Sequence, residues 1–567
     1  MDTAHSTTMY VCVLFMYYFI LNNRCSNGLV VETRGGKVQG LQKNITLEGK
    51  TTRMSVFYGI PYGETTSGNN RFKKPIPKAP FTETFDATKP PIACIQASQS
   101  SEALYGRFSN FSEDCLVLNI YVPHDFEDQP FLPVMVWIYG GGFATGASGA
   151  YNAEGLAVTG NIIVVTINYR IGMFGFLRSS DGQLIGNQGL WDQQLAIKWV
   201  QDNIGAFYGY PDDITLVGES AGSVSVLYQA LYPGNKGLFQ RVIAESGSPL
   251  GYFGLQEPNA EQYIDLIQCK SDVVDPISCL LSLPPEELQI DIGLVTSETL
   301  SFRPTVDGDF LKGTPHDILL GNNTAFSQEQ QFFASLDIVF GVNSHEGISF
   351  LLLNRDLPDK FSTNEFNMTR SLFDDMVLYC IRTMLKPDGG TEQEMIRRLI
   401  EFTYTDWDKP DNVDILREHM VSLASDITMF APAIATANVH AKYISGRTYI
   451  YVFSAEPSEH LNPMTPKWIK GSLNFVLVGT FFTGSLSYIY NHNQFEYLLG
   501  RVNTSLDIIC RYCPVLTLNF LHTQTLSMYS TRSKGVGSMI YLLCTCLCVE
   551  IPRLLQCMVT VLRTPVR

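Results

Sequence analysis

The sequence predicts an α/β fold: a mostly parallel central sheet flanked by helices, with large insertions roofing the active-site gorge. Three observations carry this. Val134-Met135-Val136-Trp137-Ile138-Tyr139 and Ile162-Ile163-Val164-Val165-Thr166-Ile167 are unbroken apolar runs, as expected of strands buried on both faces. Strand-like and helix-like segments alternate along the chain, which is the doubly wound pattern. Finally, Gly218-Glu219-Ser220-Ala221-Gly222 stands between the apolar run Ile214–Val217 and the helix-like Ser223–Tyr228. A serine on a sharp strand-to-helix turn needs small residues on both sides, because the turn crowds its neighbours.

The chain has 567 residues, and its length would allow three or four average domains. A hydrophobic share of 45% with 17% charged residues describes a globular chain with a large core. The net charge of -15 argues against a nucleic-acid partner, which would select a basic face. It reads as a solubilising surface. No metal or cofactor is expected.

In chain order, residues 1–28 read as an export signal. Met9 to Leu21 is apolar but short for a bilayer span, and small and polar residues follow; the n-region carries no Lys or Arg, so an uncleaved anchor is the alternative. Export to a secreted, extracellular location agrees with sequons at Asn44, Asn110, Asn322, Asn367 and Asn503, and membrane association or retention in the secretory lumen is the other reading. Cys94 with Cys115 and Cys269 with Cys279 make two short candidate disulfide loops, leaving Cys380 as a buried thiol. Leu29–Thr33 and Gly36–Gly40 alternate like a hairpin. Val56–Gly63 and Arg71–Pro75 read as a compact loop rich in Gly and Pro. A strand is expected to begin at Cys115, a helix between Asn187 and Asn203, and further strands at Val242–Ala244, Ile338–Phe340 and Tyr449–Phe453. Leu255 to His440 reads as insertions above the sheet.

An acyl-transfer serine needs a base, an acid to orient it and donors for the oxyanion. Gly140-Gly141-Gly142, directly after a buried strand, suits the donors, because missing side chains let backbone N–H groups approach a substrate. Gly141, Gly142 and the N–H of Ala221 are assigned to the oxyanion hole.

These residues, with Glu113-Asp114-Cys115-Leu116, Trp137-Ile138-Tyr139-Gly140-Gly141-Gly142-Phe143 and Asn187-Gln188-Gly189, resemble the type-B carboxylesterase/cholinesterase family. The resemblance runs from about Leu29 to Lys470. It implies one α/β-hydrolase domain over 29–470, a Ser-Glu-His triad and small-molecule esters as substrates. Ser220 matches the nucleophile, and Glu346, in Gly341-Val342-Asn343-Ser344-His345-Glu346-Gly347, matches the triad acid; His345 is read as structural. The base departs from the pattern. Pro466-Lys467-Trp468 is present, but no histidine follows in Gly471–Leu477. His460 is the nearest substitute in position. From Gly471 to Arg567 there are three acidic residues, Glu496, Asp507 and Glu550, and six of the 13 cysteines fall from Cys510 onward. This tail, 471–567, reads as translated non-coding sequence or an alternative terminus, as a membrane anchor within Gly535–Val549 or Leu473–Tyr490, or as divergence with a relocated base.

Cholinesterases present aromatic faces to a quaternary ammonium. Between Cys94 and Cys115 there is no Trp, the aromatics being Tyr105, Phe108 and Phe111, and Ser349 stands where a second aromatic would be expected. A general carboxylesterase is therefore expected over a choline-specific enzyme, with a non-catalytic adhesion protein of the same family as the rival.

Overall fold

The computed structural model describes residues 29–47, 49–97, 110–124, 131–269, 275–289, 301–321, 324–353, 366–385, 390–443, 445–454 and 468. The export signal, Asn322, Asn503, Tyr105, Phe108, His460 and the tail fall outside them.

Among the described residues, eleven strands form the main sheet. In chain order the strands of the molecule are β1 (Leu29–Thr33), β2 (Gly36–Leu47), β3 (Lys50–Pro61), β4 (Phe85–Asp86), β5 (Ala93–Cys94), β6 (Phe111–Ser112), β7 (Val117–Val122), β8 (Leu132–Ile138), β9 (Ile163–Ile167), β10 (Gly209–Glu219), β11 (Arg241–Glu245), β12 (Asp337–Asn343) and β13 (Thr448–Phe453). The spatial order is β1-β2-β3-β7-β9-β8-β10-β11-β12-β13, with β4 beside β2, while β5 and β6 pair separately. From β9 to β13 every neighbour is parallel; the β1-β2-β3-β7-β9 end is antiparallel. Strands β7, β9 and β11 are buried at every residue and β8 at every residue but Pro133, which explains the apolar runs Val134–Ile138 and Ile163–Val165.

Two sequence expectations change. Val56–Pro61 belongs to β3 and is not loop. Val56, Phe57 and Ile60 are fully buried, and Gly59, at φ 65°, absorbs the register shift against β7 between Phe57 and Ile60. A glycine bulge inside a strand looks like loop punctuation when read locally. The strand expected at Cys115 starts two residues later, because Cys115 is held by a disulfide to Cys94 ahead of the ladder.

Helices cover the sheet. Gln188–Asn203 and Ala221–Leu231 are joined through Gln193 Nε2, which donates to Ser225 Oγ at 3.0 Å, and Gln229 Nε2, which donates to the Leu190 carbonyl at 2.8 Å. Every residue of Ala221–Leu231 is buried, so the helix behind Ser220 is a rigid part of the core. Fully withdrawn guanidiniums tie the layers together. Arg71 grips Glu113 with two bonds of 2.7 Å and also donates to the carbonyls of Leu280 and Leu283, fastening the inserted helix Pro276–Ser282 to the sheet edge. Arg170 grips Asp192 in the same two-pronged way at 2.7 Å, and Arg241 pairs with Asp213. A second disulfide joins Cys269 to Cys279, and Cys380 is a buried free thiol, its ionisation pushed up to about 12 by burial. Asn44, Asn110 and Asn367 are exposed, as an acceptor of a bulky glycan must be.

Candidate active site

Ser220 sits at φ 57°, ψ −121°, between the last residue of β10 and the first residue of the helix Ala221–Leu231. A side chain held at positive φ is strained unless its surroundings fix it. Here they do: the Ser220 N–H donates to the Glu245 carbonyl at 2.8 Å, and the Ser220 carbonyl accepts from Val224 at 3.0 Å. The flanking glycines are needed for space. A Cβ on Gly222 would lie 2.0 Å from the Ile138 carbonyl oxygen, and one on Gly218 would lie 2.4 Å from the Gly222 oxygen. The turn therefore presses directly onto the C-terminal end of β8.

That contact also positions the glycine turn after β8. Beyond β8, Gly140 approaches so closely that an added Cβ would stand 3.0 Å from Ser220 Cβ. Gly141 and Gly142 follow at φ 102° and 63°, and Phe143 at φ 61°. Their turn is closed by Ala144 and Thr145 N–H groups donating to the Gly141 carbonyl, at 3.1 and 3.0 Å. Phe143 anchors it by an edge-on contact with Phe176 at 5.0 Å. Ala221 is the first helical residue, so its N–H has no acceptor within the helix. Gly141, Gly142 and Ala221 are thus gathered on the two turns that flank Ser220.

Glu346 lies beyond the end of β12 and is 1% exposed. Its Oε1 accepts from Asn343 N at 2.7 Å, from Asn343 Nδ2 at 3.1 Å and from Ser246 Oγ at 2.5 Å. Gly347 locks the loop from the other side: its N–H donates to Ser425 Oγ at 2.8 Å, and a Cβ there would meet the Val421 carbonyl at 2.5 Å. Burial pushes the Glu346 carboxyl up to about 7, against the pull of the donors from Asn343 and Ser246.

Ser246 and Asn343 were not singled out from sequence. The signal was present in Ser246-Gly247-Ser248 at the end of β11: a Cβ on Gly247 would stand 2.4 Å from the Ser220 carbonyl oxygen, so this turn links Ser220 to Glu346. The register adds a second missed group. Glu219, Glu245, Gly341 and Tyr451 lie in one row across β10, β11, β12 and β13. The Tyr451 ring covers Gly341, and its hydroxyl donates to Glu245 Oε1 at 2.9 Å. Burial pushes the Glu245 carboxyl up to about 8 and raises Glu219 well above the usual range, with the charges of Glu346 and Glu245 adding to the latter.

Three of the five described histidines are engaged as follows. His345 pairs through Nε2 with Glu418 at 3.3 Å and through Nδ1 with Ser344 Oγ at 2.8 Å, so its ring serves the surface of the loop. His440 is buried between Thr448 Oγ1 and the Phe333 carbonyl, at 2.7 and 3.1 Å, and burial pulls its ionisation down to about 4. His419 Nδ1 lies 2.9 Å from the Tyr404 carbonyl oxygen. Among the described residues no cluster of His, Cys, Asp or Glu has a metal-binding arrangement.

A serine on a strained turn at the C-terminal edge of a largely parallel sheet, faced by a glycine turn and followed by a carboxylate two strands on, defines an α/β-hydrolase. The chain belongs to the carboxylesterase family, whose profile matches residues 27–498. Bile salt-activated lipase of Bos taurus is 35% identical over 463 residues, covering 77% of this chain and 71% of the relative. Carboxylesterase 5A of Canis lupus familiaris is 33% identical over 489 residues, covering 83% and 79%. Neuroligin-2 of Homo sapiens is 32% identical over 465 residues, covering 75% of this chain and 53% of the relative.

Proposed function

We propose that the chain is built as a serine carboxylic ester hydrolase of general carboxylesterase type, acting on small-molecule esters in the secretory pathway or outside the cell. The observation that carries the reading is the strained Ser220 turn pressed against Gly140-Gly141-Gly142, with Glu346 buried at the end of β12. Ser220 Oγ attacks the ester carbonyl. The N–H groups of Gly141, Gly142 and Ala221 receive the oxyanion, each worth about 3–4 kcal/mol of transition-state stabilisation. The alcohol leaves, and water then releases the acid from the acyl-serine. Glu346 is placed to hold a histidine N–H and to stabilise the imidazolium.

Such a cycle needs a base that takes the Ser220 proton. The sequence offers none directly after Trp468, and the relocated alternative is His460. Without it, turnover falls by about 10⁴–10⁶, so the chain as written is expected to hydrolyse esters near background. That departure, together with the neuroligin-2 similarity, favours a second reading: a binding protein on a hydrolase scaffold. Fluorophosphonate labelling of the full chain separates them. Labelling that is lost in Ser220→Ala and in His460→Ala establishes a hydrolase with a relocated base; no labelling of the folded protein establishes the second reading.

A further inference from the structure

Arg71, Arg170 and Arg241 are each withdrawn from water and each holds a carboxylate. Arg303 does not. Its guanidinium lies over the rings of Tyr252 and Phe253, with Cζ 4.9 and 5.3 Å from their centroids, and Nη1 donates to the Tyr252 carbonyl at 3.1 Å. No carboxylate among the described residues pairs with it. Arg303 is half-buried, as is Arg178, which also lacks a carboxylate among the described residues but is clamped to the Ile185 carbonyl within its own turn. Burial lowers the ionisation of Arg303 from its ordinary value.

Its place in the fold is the substrate end of the sheet. Tyr252 and Phe253 follow the turn Ser246–Ser248 that touches Ser220 and Glu346. Phe253 packs on a buried cluster of Val342, Met429, Phe430 and Ala433, and Val342 directly precedes Asn343, which holds Glu346. In open α/β sheets ligands bind at this carboxyl end of the strands. The two rings border the guanidinium, and one N–H donor is spent on the Tyr252 carbonyl. The remaining donors have the fork geometry that fits a carboxylate.

We infer that Arg303 is a specificity-determining residue that binds a carboxylate at the far end of the acyl chain, making half-esters of dicarboxylic acids the preferred substrates. This rests on the hydrolase reading for its substrate, but the binding event does not require turnover. Isothermal titration of the full chain with suberamate, the monoamide anion of suberic acid, and with neutral suberamide tests it, since neither is an ester. Suberamate is expected to bind about tenfold to a hundredfold more tightly. Arg303→Gln, which keeps length and removes charge, should bring suberamate to the level of suberamide while leaving suberamide unchanged. Arg303→Lys should keep part of the preference. Equal affinities in the native chain, no binding of either compound, or a preference that survives in Arg303→Gln overturns the inference. Absence of fluorophosphonate labelling with an intact, Arg303-dependent preference would instead refute only the hydrolase reading.

Discussion

Arg170 and Asp192, and Glu219 and Glu245, are equally removed from water, yet the first pair is neutral as a unit and the second sets two acids side by side. Arg170 meets Asp192 through both prongs of its guanidinium and through its own N–H, at 2.7, 2.7 and 3.0 Å. Glu245 receives the Tyr451 hydroxyl on one oxygen, while its Oε2 is buried without a hydrogen-bond partner. Scaffold charge is paired because an isolated buried charge destabilises the fold by several kcal/mol. At the site burial raises Glu219, Glu245 and Glu346, so that protons are held there at a pH where ordinary carboxyls have lost them. The difference sets the C-terminal edge of β10 to β13, where the proposed site lies, apart from the scaffold.

The largest expected effect comes from breaking a scaffold pair. Asp192→Asn leaves the Arg170 charge buried and should lower stability by about 3–5 kcal/mol. Urea unfolding measures it, and a loss below 1 kcal/mol would mean that the pair is not sealed from water as the structure has it.

Glu245→Gln should do the opposite at alkaline pH. The folded-state value is raised to about 8, from an ordinary 4.5. The unfolded chain therefore gives up this proton before the folded protein does. The stability held by the protonated carboxyl is full below about pH 4.5 and is lost as pH rises to about 8. Removing the acid should raise stability at pH 8 by on the order of 1–3 kcal/mol relative to the parent and flatten the slope of melting temperature against pH. Glu219, Glu346 and Tyr451 face this carboxyl, so part of the slope remains in the variant. An unchanged slope would show that Glu245 ionises normally.

Glu346→Gln should flatten the same curve less, because its folded-state value is raised only to about 7. Its stability term is likewise full below the ordinary carboxyl value and lost as pH passes through about 7. The amide keeps an oxygen for Asn343 and Ser246, so the loop should stay folded, and thermal scans at pH 5 and pH 8 compare the two variants directly.

The smallest effect belongs to exposed pairs. Lys198 and Asp202 meet at 3.2 Å on the helix surface, and Lys198→Ala should change stability by no more than about 0.5 kcal/mol. A larger loss would blur the distinction between buried and exposed pairing.

The elbow, the glycine turn, the apolar strands and the covering helices were legible in the sequence, because each is dictated by neighbours within a few residues. A turn that admits no Cβ must be written with glycine, and a strand buried on both faces is mostly apolar. The Cys94–Cys115 and Cys269–Cys279 loops are also short enough to propose locally, and the structure contains both. Tertiary structure alone decided that Val56–Pro61 is a bulged strand, that Ser246 and Asn343 hold Glu346, that Glu219, Glu245 and Tyr451 share one row, and that Arg303 lies over the rings of Tyr252 and Phe253. Ser246 and Glu346 are 100 positions apart. Such pairs are created by strand order and register, which depend on how the whole sheet packs, and no local pattern of residues encodes them.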